Sequence, residues 1–145
     1  MAAEISATTI FCDDIRQEVN NKASLIGCYG SRMLLENIPA VLPRLCAAAY
    51  IKIRPGVAVG SIAVRALLGA ETIASFALPD AVQSIETLRA SGQGSDDGCV
   101  TLSAFMVLSP FMLSEPSTLR IMIDVDGAQI TAGMLGIKKP DSPIL

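Results

Sequence analysis

Residues 119–134, LRIMIDVDGAQITAGM, show the period that governs most of the chain. Leu119, Ile121, Ile123 and Val125 alternate with Arg120, Met122 and Asp124, the period-two pattern of a strand with one buried face. Asp126-Gly127 follows, a dipeptide that supplies the positive φ angles of a two-residue hairpin loop. That loop sets Val125 opposite Ala128, Ile123 opposite Ile130, Ile121 opposite Ala132 and Leu119 opposite Met134. Every pair is apolar, so turn chemistry and register both predict a hairpin.

The alternation recurs upstream. Leu45, Ala47, Ala49, Ile51 and Ile53 share one parity before Pro55-Gly56 ends the run. Ile62, Val64, Ala66 and Leu68 alternate up to Gly69-Ala70, and a further strand is expected near 72–78. Val100, Leu102, Ala104, Met106 and Leu108 alternate until Ser109-Pro110. Short strands at regular spacing with turn residues between them predict an antiparallel β-sandwich or barrel, of which the sandwich is the reading taken. One segment departs from the pattern. LPDAVQSIETLRASG predicts a connecting helix over about 80–90, with Asp80 as N-cap, Gln83 three residues on, Val82, Ile85 and Leu88 on one face, and Gly92 beyond its end. A polar loop, GQGSDDG, comes next. The reading is one sandwich domain over 1–137 and an irregular tail over 138–145, without internal repeats.

The stretch 10–30, IFCDDIRQEVNNKASLIGCYG, concentrates charge and thiols. Asn20-Asn21 tolerates the left-handed backbone of a tight turn, so the flanks read as two strands of a hairpin. With the turn there, Glu18 faces Ala23, Gln17 faces Ser24 and Arg16 faces Leu25. Asp14, Arg16, Glu18 and Lys22 then form a charged hairpin edge that stays soluble and offers interaction groups, since opposite charges across strands attract modestly.

This stretch, followed by IPAVLPRL and the C-terminal RIMIDVDGAQI, resembles an uncharacterised family of small bacterial and bacteriophage proteins. The shared elements are Asp-Asp-Ile-Arg-x-Glu, a Gly/Asn-Lys turn and a Leu-x-Gly-x-Tyr strand, specific over 11–29 and generic beyond about 45. Asn20-Asn21 stands where the family usually has a Gly. The resemblance implies an immunoglobulin-like or C2-like sandwich, an origin often in phage or prophage, and no assigned activity.

Composition narrows the function. Only 17% of the 145 residues are charged, against roughly 25% in an ordinary soluble domain, and the mean hydropathy is +0.51. The most apolar run, 57–68, is too short and too interrupted by Gly60, Ser61 and Arg65 to span a bilayer. Surplus apolar surface with no membrane to enter predicts contact with other protein subunits, in a homo-oligomer or larger assembly. Small outward residues (Ala48, Ala63, Ser103, Gly133) would let sheets from different subunits pack closely. The N-terminus lacks the basic and apolar regions of a secretory signal, which predicts synthesis in the cytoplasm, and presence in the virion if phage-encoded. Net charge is −3 and the eleven cations are scattered, so nucleic acid is not an expected partner.

The chemistry-bearing residues are few. There is no His, hence no side chain with an ordinary pKa suited to proton transfer near neutrality. No glycine-rich loop opens a helix to cradle phosphate, and no Trp offers a sugar platform. No enzyme activity and no cofactor are expected. Asp13, Asp14, Asp124 and Asp126, with Asp96-Asp97, form a carboxylate set that would bind calcium if loops brought it together at one end of the sandwich. The turn role of Asp126-Gly127 already accounts for two of those residues. Cys12, Cys28, Cys46 and Cys99 have no CxxC spacing. Cys46 and Cys99 share a parity with polar neighbours, which makes them candidates for exposed thiols able to crosslink subunits; the reading preferred to that is four small buried residues. The leading expectation is a structural module, most concretely a virion component such as a capsid decoration, neck or tail accessory. The alternatives are a phage-encoded inhibitor of a host defence protein or its nucleotide signal, and a calcium-binding module.

Overall fold

The structure is a computed structural model that describes residues 4–92 and 97–141. Alternating sequence becomes strand throughout. The first sheet is built from β1 (Ile5–Gln17), β2 (Ala23–Cys28), β5 (Leu45–Ile53) and β8 (Val100–Leu108), in the order β2-β1-β5-β8. The second contains β3 (Arg32–Leu34), β6 (Ile62–Leu68), β7 (Glu71–Ala77), β10 (Ser117–Val125) and β11 (Ala128–Lys138), in the order β3-β11-β10-β6-β7. A short antiparallel pair, β4 (Ala40–Leu42) with β9 (Phe111–Leu113), stands apart from both. All pairings are antiparallel except β3 with β11. The fold is an all-β sandwich, open at its edges.

The two sheets bury the residues that alternation singles out. Leu45, Ile51 and Ile53 of β5 face Ile62, Leu119, Ile121 and Ile123 of the second sheet's strands, all at 1% exposure or less. Each such side chain contributes about 1.5–3 kcal/mol on leaving water. Among the described residues no polar or charged residue is fully buried. Among the described residues the core is hydrocarbon apart from Thr9, whose buried Oγ1 has no hydrogen-bond partner.

The last hairpin forms with Asp126 at φ 50° and Gly127 at φ 87°, and its first pairs, Val125–Ala128 and Ile123–Ile130, are as expected. Beyond Met122–Thr131 the register slips at a β-bulge, so Ile121 faces Gly133 and Leu119 faces Leu135. The cause is the hydrophobic pattern of β11 itself. Ile130 and Ala132 are even-numbered, while Leu135 and Ile137 are odd-numbered. One extra residue is needed to turn both sets inward. Leu135 consequently has 0% exposure and Met134 has 56%.

The helix α1 (Ala81–Ala90) lies where expected, but Asp80 makes no side-chain cap bond. Its buried stripe is Ala81, Ile85 and Leu88; Val82 turns outward. β11 extends through Lys138, one residue into the expected tail. Most of the GQGSDDG loop and the last four residues lie outside the described residues.

Candidate functional site

The charged hairpin forms with a register one residue off the expected one. Gln17 faces Ala23, Arg16 faces Ser24 and Asp14 faces Ile26. Asn20 and Asn21 both take positive φ, at 63° and 57°. The Glu18 N–H donates to the Lys22 carbonyl at 2.8 Å, which closes a longer loop than a two-residue turn. The side chains then divide. Asp14 accepts from Arg44 Nη1 at 2.6 Å and from the Ile15 N–H at 3.0 Å; the Arg44 bond is the main reason its carboxyl titrates below the usual range. Asp13 accepts from the Tyr29 hydroxyl at 2.5 Å. Glu18 accepts from Ser24 Oγ at 3.2 Å. Arg16 and Lys22 are exposed, and among the described residues neither forms a salt bridge. Burial, and then Asp13, push the Tyr29 phenol up to about 12. Asp13 also folds over Gly27, where an added Cβ would lie 2.2 Å from Asp13 Oδ2.

The calcium expectation requires the carboxylates to converge, and they do not. Asp13 and Asp14 sit on β1 of the first sheet, whereas Asp124 and Asp126 belong to the β10–β11 hairpin of the second. Asp124 grips Arg65 through two bonds, at 2.6 and 3.1 Å. Asp126 accepts from the backbone N–H groups of Gly60 at 3.0 Å and Ser61 at 2.7 Å, which lowers its pKa. Among the described residues no group of three or more Cys, Asp or Glu side chains is placed to hold a metal ion. Asp96 lies outside the described residues, and Asp97 pairs with Lys52 at 3.5 Å.

Burial decides between the two readings of the cysteines, and against Cys46 and Cys99 as crosslinking thiols. Cys46 has 0% exposure and Cys99 has 6%, so neither is a surface thiol. Cys46 is on β5, an inner strand of the sheet, where β1 and β8 shield both flanks of a small side chain. Cys28, on the edge strand β2, is the exposed one. Register places Cys28 opposite Cys12, and Cys12 opposite Cys46. Three thiols thus stand in one row across three adjacent strands. Nothing in the sequence spacing signals this row, because it needs the strand order β2-β1-β5 to be known.

The row belongs to the outer face of the first sheet, and that face is the most distinctive surface of the molecule. Alternation turns Ile10, Cys12, Ala48, Phe105 and Val107 away from the core over one half of this face, and Ser6, Thr8, Tyr50, Thr101 and Ser103 over the other. Ile10 is 39% exposed and Val107 53%. The Tyr50 and Phe105 rings meet edge to face with centroids 6.2 Å apart. Charge is confined to the two ends of this face, Asp14–Arg44 at one and Lys52–Asp97 at the other. The outer face of the second sheet differs, since Arg65, Arg120 and Asp124 stand in its middle. Of the small residues expected on the surface, Ala48 has 0% exposure. Gly133 packs under β1, where an added Cβ would lie 2.7 Å from Thr9 Cβ. Among the described residues no helix is long and apolar enough to cross a membrane. A groove of about 590 Å³ opens between β7 and the end of β8, with Ile73, Val107 and Met112 in its lining.

Comparison with family models, curated proteins and solved structures finds no match to this chain.

Proposed function

We propose that this protein is a non-enzymatic structural module that works in a homo-oligomer or a larger protein assembly. The observation that carries the reading is an apolar patch on the outer face of the first sheet, where Ile10 on β1 and Phe105 and Val107 on the edge strand β8 lie between the charged pairs at the two ends. A sheet face in contact with water normally alternates polar residues outward; here Ser6, Thr8, Thr101 and Ser103 do so toward the Lys52 end, and the apolar patch beyond them is suited to cover by another protein surface. A second copy of the chain is the simplest cover, because a two-fold axis pairs a surface with itself without new chemistry. The resemblance of 11–29 to phage-associated proteins makes a virion component, such as a capsid decoration, neck or tail accessory, the concrete form of the proposal. The test is the mass in solution of the wild type and of Ile10→Lys/Val107→Glu. An oligomer that the double variant reduces to monomer supports the reading. A wild-type monomer at all concentrations would favour instead an inhibitor that binds a partner of its own.

A further inference from the structure

We infer that Cys28 and Cys12 form a thiol–disulfide exchange site for small-molecule disulfides, with Cys28 the entry thiol and Cys12 the resolving thiol. Three observations carry it. Cys28 and Cys12 are direct cross-strand partners on β2 and β1. Directly opposed residues of an antiparallel pair have Cα atoms about 4.5–5.5 Å apart, inside the roughly 4.4–6.8 Å that a disulfide spans. Exposure then sets the order of events. Cys28 is exposed on an edge strand, next to Gly27 at φ 68°, whereas Cys12 has 0% exposure. Cys28 stands at the rim of the outer face, at the sheet edge opposite β8 with its Phe105 and Val107, so an incoming disulfide meets Cys28 first, from the open edge of the sheet, with the apolar patch covered. Cys46 also faces Cys12, but it too has 0% exposure and its thiol lies 3.8 Å from the Asp13 carbonyl oxygen, to which it donates. It has no access of its own.

The chemistry balances in two steps. The Cys28 thiolate attacks one sulfur of the small disulfide, which breaks that S–S bond, forms a mixed disulfide and expels one small thiolate. Cys12 then loses its proton to solvent and attacks the Cys28 sulfur. The Cys12–Cys28 bond forms, and the second small thiolate leaves. The protein is oxidised by two electrons and the small disulfide is reduced to two thiols. Burial, with the neighbouring thiols, pushes Cys12 up to about 11, so the second step is slow near neutrality and quickens with pH.

The test incubates the full chain with oxidised glutathione, quenches with acid and maps tryptic peptides without reductant. Each cysteine falls in its own peptide: Cys12 in 1–16, Cys28 in 23–32, Cys46 in 45–52 and Cys99 in 90–120. The expected product links 1–16 to 23–32 within one chain, and the mixed disulfide on Cys28 decays about tenfold faster per pH unit between pH 7 and 9. Cys12→Ser should leave that adduct in place, and Cys46→Ser should not change the link. A persistent Cys28 adduct in the wild type, a link through Cys46 or Cys99, or a Cys28–Cys28 link between chains would each overturn the inference.

Discussion

At the scale of single residues, the charged motif is a set of separate structural bonds. Asp13 serves Tyr29, Asp14 serves Arg44, and Glu18 serves Ser24. Gly27 is where this arrangement is most sensitive. Its φ of 68° is a conformation that L side chains adopt at a cost, and a Cβ there would displace the Asp13 carboxylate from over it. Gly27→Ala should therefore destabilise the fold by about 1–3 kcal/mol, read as a lowered denaturant midpoint with unchanged slope. Asp126 gives a prediction in pH. Its folded pKa lies below the 3.8 of the free carboxyl because the Gly60 and Ser61 N–H groups bind the anion. A depressed folded pKa means that the stabilisation is present in full above the unfolded value and is lost as pH falls through the folded one. Asp126→Asn should lower the melting temperature at pH 6, and the gap from wild type should close as pH falls below 3.8. A gap that stays constant with pH would refute the role given to the anion.

At the scale of elements, what could be read from the sequence depended on whether the information was local. The strands around 45–53, 62–68, 100–108 and 119–125 were legible because each buries one parity against the other sheet. So was the Asp126-Gly127 turn. The bulge in β11 was written in the sequence too, as the phase change between Ile130/Ala132 and Leu135/Ile137, but strict alternation assumed past the turn conceals it. The short strands β3, β4 and β9, three residues each, carry too little pattern to be seen. Burial of small thiols was legible for Cys12, Cys46 and Cys99, whereas the exposed Cys28 was not, since polar neighbours along a strand do not report what the adjacent strands cover. β10 is the middle strand of the second sheet and carries Leu119, Ile121 and Ile123, each at 0% exposure. Ile121→Ala empties a site of 0% exposure at the bulge and should cost about 2–5 kcal/mol in chemical denaturation. A loss under 1 kcal/mol would mean that the interior repacks freely and that the two-sheet core is not closely packed.

At the scale of the whole molecule, one outer face of the sandwich has charge in its middle and the other only at its ends. The five-stranded sheet meets water with the Arg65–Asp124 pair, and the four-stranded sheet presents an apolar patch of Ile10 and Val107 with half-buried Phe105. With 17% of its residues charged, the chain has little ionised surface to spare for hydrating that second face, and the account rests on that face being covered by protein. The direct measurement is the molar mass by sedimentation equilibrium at two concentrations at least tenfold apart, with and without reductant. The account predicts a defined multiple of the 15.2 kDa chain mass, unchanged by reductant and reduced to monomer by Ile10→Lys/Val107→Glu. A monomer at both concentrations, or a multimer that dissociates on reduction, would contradict it.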